Sequence, residues 1–166
     1  YVIGRDGKAS MIDMWMKEPK NVAEIQVCND ARAIDTSKHK DYLDKYAVVG
    51  CYWPPSIVTL EADTLDPLKI VSTGSYTYDK NEYLREARVA AIIASHDKPE
   101  WVINIKETGQ VWLYDYSNVK SPKVTMIEAE RFLHDGGWDL SKRYFLTAAN
   151  ARDVISVIDT KDGKLV

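Results

Sequence analysis

At 166 residues the chain is long enough for one sizeable domain with a buried core. Its 45% hydrophobic and 28% charged residues are ordinary for a globular protein, and a net charge of -3 excludes the basic stripe that a nucleic-acid surface needs. No apolar run approaches the ~20 residues of a membrane helix, so no membrane span is expected.

The chain opens on Tyr1 and stops at Val166 directly after a hairpin-like pattern, so it reads as an internal piece of a longer protein, cut at both ends. The hydrophobic runs are short, rich in Val, Ile, Tyr and Trp, and separated by polar turns, which is a strand signal. Tyr1–Trp15 reads as two strands around a Gly-Arg-Asp-Gly turn, followed by an outer strand at Val22–Val27. Ala31–Ser37 reads as an innermost strand, Tyr46–Asp63 as two further strands, and Leu68–Thr73 as an outer one. Glu82–Ser95 is the best helical candidate, but Val89–Ile93 reads equally well as a buried strand, with Arg88–Ser95 innermost in its unit. Trp101–Tyr116 then repeats the paired pattern and Val124–Ala129 the outer one. A short innermost strand is expected around Phe132–Leu133, with His134 in an Asp-Gly-Gly turn, before a last pair at Tyr144–Thr160.

Internal similarity decides the fold class. Four segments open on an aromatic residue, run apolar, turn, and close on an apolar strand with an acidic residue; their first residues lie 45, 55 and 43 positions apart. Periods of ~40–50 residues with several strands each are the signature of β-propeller blades. The expectation is an all-β propeller with about three and a half four-stranded blades over 1–166, the ring being completed by other sequence.

In a propeller the inner strands line a central channel, so residues at matching blade positions converge on one mouth. Arg32, Arg88 and His134 each sit at or near the start of an inner strand and are expected to face that space. Arg5 and Tyr52, at the ends of second strands, are placed at its rim. An arginine fork matches carboxylates bidentately, so the pocket reads as a site for an anionic ligand. A lone histidine before Gly-Gly is by itself a turn residue; in a pocket it becomes a proton donor, because its ordinary pKa lies nearest neutrality. Asp135 reads as a turn former. His96 and His39 read as loop residues, His39 solvated, and Trp53 before Pro54 and Pro55 as a packing residue. Cys28 and Cys51 fit no metal or haem-attachment spacing. Each lies in an apolar context where a free cysteine behaves as a small hydrophobe, which is the favoured reading; a disulfide between them is the alternative, since spacing cannot supply its geometry.

The stretches YVIGRDGK (1–8), MIDMWMKEP (11–19), YWPP (52–55), RVAAIIASH (88–96), NIKETG (104–109), ERFLHDGGWD (130–139) and RYFLTAAN (143–150) resemble, in order and over nearly the whole chain, the haem d1 domain of the cytochrome cd1 nitrite reductase family. That resemblance implies an eight-bladed propeller holding haem d1 in its central channel. It implies that His134 is one of two distal histidines, that Arg5 and Arg32 contact haem carboxylates, and that Tyr52 and Ala91 line the macrocycle. Arg88 joins the set from blade equivalence alone. The implied activity is reduction of nitrite to nitric oxide in bacterial denitrification, in the periplasm, by a homodimer fed by a small cytochrome c or cupredoxin. Haem c, the axial histidine and the second distal histidine would lie in sequence outside this chain, and the piece alone would be inactive. A haem d1-propeller protein of cofactor assembly and a non-catalytic propeller scaffold are the competing readings. The chain departs from the family pattern at Gly74-Ser75 and at Leu84-Arg85-Glu86-Ala87, ahead of Arg88.

Overall fold

The computed structural model describes residues 1–166, which form seventeen β-strands and one 3-10 turn at Lys40–Tyr42. The first sheet joins β1 (Val2–Ile3), β2 (Lys8–Asp13) and β3 (Lys20–Gln26); the second joins β4 (Asp30–Thr36), β5 (Tyr46–Trp53), β6 (Ser56–Glu61) and β7 (Pro67–Ser72). A small hairpin of β8 (Ser75–Tyr76) and β9 (Tyr83–Leu84) leads into the third sheet. That sheet holds β10 (Val89–Ala94), β11 (Glu100–Ile105), β12 (Gln110–Asp115) and β13 (Lys123–Glu128). The fourth holds β14 (Leu133–Trp138), β15 (Tyr144–Ala149), β16 (Val154–Asp159) and β17 (Lys164–Leu165). Every sheet is an antiparallel meander in chain order, so the all-β class and the repeating unit expected from the sequence hold. The helical candidate at Glu82–Ser95 is instead β9 and β10: Val89–Ala94 is buried on both faces, which suits β-branched side chains better than a one-faced helix.

Composition explains which strands lie inside. Strands β6, β11 and β12 are near-continuous apolar runs, buried at five or six of their six positions because a sheet covers each face. The last full strands, β3, β7 and β13, alternate charged with apolar residues and leave one face wet. Pro67 begins β7 and Pro cannot donate to a ladder, so it sits at the start of an edge strand.

Three apolar layers fill the spaces between the four sheets. Nine residues, among them Val49, Val58 and Leu60, lie between the first and second sheets. Thirteen, including Ile57, Trp101, Trp112 and Tyr114, lie between the second and third. Nine more, including Leu113, Leu133 and Phe145, lie between the third and fourth. Each such side chain contributes about 1.5–3 kcal/mol relative to exposure. Directional bonds fix the rotation of one sheet on the next. Trp101 Nε1 donates to Thr36 O (3.2 Å) and Trp138 Nε1 to Ala94 O (3.1 Å), while the Ala94 N–H donates to Asp35 Oδ2 (2.8 Å). Gly50 is required by close approach: a Cβ there would sit 2.4 Å from Val89 Cγ1 of the third sheet.

Two expectations are corrected here. Cys28 and Cys51 are bonded as a disulfide, with Cα atoms 6.3 Å apart, buried in the layer between the first and second sheets. Sequence spacing could not reveal this, because the contact exists only once the second sheet folds onto the first. His39 is also not solvated. Its side chain is 14% exposed, and its Nδ1 accepts the Asp41 N–H (3.4 Å) at the start of the 3-10 turn.

Candidate functional site

The innermost strands β4, β10 and β14 run side by side, and all three begin at the same end of the molecule. At that end each carries a β-bulge. Ala31 faces Cys51 and Ala33 faces Gly50, which leaves Arg32 as an extra residue. Asp30 faces Trp53, so Tyr52 is the extra residue of the opposing strand β5. Register also shifts between Val89 and Ala91 in β10, and between Leu133 and Gly136 in β14, where His134 and Asp135 lie. A bulge bends the strand and re-aims a side chain. Here the extra residues are Arg32 in β4, Ala90 in β10, two positions after Arg88, and His134 and Asp135 in β14.

Arg32 and Tyr52, the two bulge residues, stack with the guanidinium carbon 4.7 Å from the ring centroid. Arg88 approaches the same ring at 5.0 Å and Lys106 Nζ at 5.9 Å. Three cations around one aromatic ring gain from its quadrupole, while burial raises the Tyr52 hydroxyl pKa against the pull of Arg88 and Arg32. The guanidinium groups are themselves held by carboxylates. Arg32 donates from Nε (2.7 Å) and Nη2 (3.2 Å) to Asp30, and Arg88 Nε donates to Glu107 Oε1 (2.6 Å). Glu107 Oε2 also accepts the Arg88 backbone N–H at 2.7 Å, fixing the start of β10. The arginines read as anion-seeking are therefore present as ion pairs.

Two clefts flank the cluster. One, about 570 Å³, is lined by Tyr52, Trp53, Leu84, Glu86, Arg88 and Glu107. Trp53, expected to pack, is 46% exposed and forms part of this wall. The other, about 440 Å³, has an apolar floor that includes Ile3, Ala33, Ala91 and Ile93, with Arg32 and Asp135 at its edge. Arg5 sits exposed in the turn after β1 and is two residues from Ile3; it makes no ion pair.

His134 is the second residue of β14 rather than a turn residue, and the short strand expected at Phe132–Leu133 extends to Trp138. The Asp-Gly-Gly run is strand because Gly136 crosses the Phe145 ring. A Cβ there would fall 2.4 Å from Phe145 Cζ and 2.6 Å from Leu146 O. Asp135 is not a turn former either: its Oδ1 lies 3.1 Å from His134 Nδ1, which leaves Nε2 on the far side of a ring that is 41% exposed. His96 is exposed in the connection after β10, as expected.

The bulge is held by residues the sequence reading passed over. Asn104, fully buried on β11 opposite Ala91, donates its amide to the His134 carbonyl and to Thr147 Oγ1 (2.8 Å). Thr147 Oγ1 in turn donates to Asp135 O (3.2 Å). A buried Asn and Thr inside apolar strands were the available signal, since such groups persist inside only when bonded.

All 166 residues match the family model described as the cytochrome D1 heme domain. The chain belongs to the cytochrome d1 haem domain family. It is 53% identical over 99% of its length to a nitrite reductase of Stutzerimonas stutzeri, covering 29% of that protein. It is 22% identical over its whole length to the dihydro-haem d1 dehydrogenase of Pseudomonas aeruginosa, covering 31% of it. The solved dihydro-haem d1 dehydrogenase complex with DHE superposes with a TM-score of 0.75 over 98% of this chain and 32% of that one, at 22% identity, which supports the propeller-type fold. The chain therefore spans about three-tenths of the length of the curated relatives it matches. The site fits the family's ligand chemistry: an apolar floor beside a ring of cations suits a flat macrocycle bearing carboxylates.

Proposed function

We propose that this chain is part of a nitric-oxide-forming nitrite reductase of the cytochrome cd1 type, contributing about three and a half blades of an eight-bladed ring. The carrying observation is the 53% identity to a nitrite reductase, against 22% to the dehydrogenase, over the same residues. Haem d1 would rest on Ile3, Ala33 and Ala91, with its carboxylates toward Arg32, Arg88 and Arg5 and its edge against Tyr52. When bound, it supplies an iron that holds nitrite and the electron that reduces it.

The protein's own task is protons. Converting nitrite to nitric oxide and water takes one electron and two protons, delivered to a weakly basic oxygen. His134 holds a proton at Nε2 while Asp135 orients the ring through Nδ1, and the exposed edge lets water recharge it. The imidazolium also offsets the anion's charge, as do the cations around Tyr52. The buried disulfide supports an oxidising, periplasmic location. Haem c, a small cytochrome c or cupredoxin donor and a homodimer complete the proposed enzyme, with both further histidines supplied from elsewhere in the sequence. No helix in the structure is long and apolar enough to cross a membrane.

The test is His134→Ala in the whole protein. Retained haem d1 with nitrite turnover reduced by about 10²–10⁴-fold, the range for a general acid, supports the assignment. Unchanged turnover refutes it. Wild-type protein that binds haem d1 yet leaves nitrite untouched favours the cofactor-assembly reading, and failure to take up haem d1 favours the scaffold reading.

A further inference from the structure

Between β13 and β14 the chain leaves the ladder. The Ala129 N–H donates to Gly109 O (2.9 Å) and the Phe132 carbonyl accepts from Asn150 N (3.0 Å); the two residues between them, Glu130 and Arg131, are held by side chains. Arg131 Nη2 lies 2.6 Å from Asp79 Oδ2, with the two side chains 20% and 18% exposed. The Tyr78 hydroxyl donates to Glu130 Oε2. Arg152 closes the square, its guanidinium 3.8 Å from Asp79 and 3.5 Å from Glu130.

Tyr78 and Asp79 belong to the connection between β8 and β9, which is itself anchored. The Tyr78 N–H donates to Thr108 O (3.0 Å), Ser75 Oγ to Gln110 Oε1 (2.9 Å), and the Tyr78 ring lies over Gly109, where a Cβ would meet Cδ1 at 2.7 Å. The end of β9 and the segment after it reach the other half of the site, where Leu84 and Glu86 line the cleft of Tyr52 and Arg88. One strap thus touches both the cation cluster and the approach to His134. Leu133, fully buried, pins one side of β14 to the core, and the Arg131 arm fixes the direction from which the strand enters.

We propose that Asp79 and Tyr78 are positioning residues which, through Arg131 and Glu130, set where β14 begins and so place His134. This rests on the nitrite reductase reading. Neither residue touches the reacting groups, so their removal should act only while His134 is there to be misplaced. A partly buried pair resists screening, and a misplacement on the order of 1 Å can cost about a hundredfold in rate.

The experiment uses the whole haem d1-loaded protein with Asp79→Asn and Tyr78→Phe, each alone and combined with His134→Ala. Turnover of nitrite and the affinity for cyanide, read from the haem absorption, are measured in each. The expected result is unchanged haem d1 content, kcat lower by roughly tenfold and cyanide affinity by at least about threefold in Asp79→Asn, with no further loss in the His134→Ala background. Tyr78→Phe shows the same pattern more weakly. Wild-type values in both single variants, or an equal proportional loss with and without His134, overturn the proposal. If the wild-type protein binds haem d1 but does not reduce nitrite, the reductase reading fails instead, and the cyanide cycle alone decides the placement of His134.

Discussion

Replacing Glu100 by Gln should stabilise the protein at neutral pH and lose that benefit in acid. Glu100 opens β11 at the end away from His134, in a cleft of about 340 Å³ between the third and fourth sheets. It is 7% exposed, and its Oε1 is buried without a hydrogen-bond partner. Lys98 Nζ stands 4.0 Å away, engaged instead by the carbonyls of Thr160 (2.7 Å) and Lys161 (3.3 Å). Burial therefore dominates and pushes the carboxyl up to about 6 from an ordinary 4.5, with Lys98 opposing and Asp115 assisting. A folded-state pKa above the unfolded one means that the folded protein binds the proton more tightly. Its stabilising contribution is complete below pH 4.5 and is lost as the pH rises through 6. Each pKa unit is about 1.4 kcal/mol, so ionised Glu100 costs about 2 kcal/mol above pH 7. Calorimetry of the whole protein and the Gln variant from pH 4 to 8 reads the effect. The stability difference should be small at pH 4, grow mostly between pH 4.5 and 6, and level off in favour of Gln. A Gln variant that is less stable at pH 7.5, or a difference that does not change with pH, would refute the reasoning.

Asn104→Ala removes both donors that hold the β14 bulge and leaves the His134 carbonyl and Thr147 without them; relief of the orphaned Asn104 Oδ1 offsets part of the cost. A net loss of about 2–3 kcal/mol in chemical denaturation is expected, together with lower kcat; stability equal to wild type would contradict the bonding scheme. Alkylation of the unreduced, denatured protein should find no free thiol at Cys28 or Cys51. The double Ser variant should lose about 3 kcal/mol, since the bridge closes a loop across 23 positions; two alkylated cysteines would sink this prediction.

The period of the apolar runs made the repeating sheets legible, because a strand buried on both faces has no other way to satisfy its side chains. Strand ends were less legible, and β14 shows why. Asp-Gly-Gly has turn chemistry locally, but Phe145 on the neighbouring strand needs the space that Gly136 leaves, so packing overrode the local preference. The disulfide and the partly covered His39 were hidden for a related reason, since both depend on one unit folding against another.

The site was legible as a set of positions and not as a geometry. Blade equivalence put Arg32, Arg88 and His134 at or near the starts of innermost strands, where β4, β10 and β14 have them, but it assumed regular strands. Regular pairing would alternate side chains strictly between the two sheet faces. The bulges break that rule at Arg32, Tyr52 and His134, and they bring Arg32 and Tyr52 into contact across β4 and β5. Nothing in a one-dimensional pattern marks a bulge except the residues that stabilise it, and for His134 those lie on other strands: Asn104 on β11 and Thr147 on β15. Polar residues inside otherwise apolar strands are thus the sequence's record of the site, written on the strands that support the functional side chains.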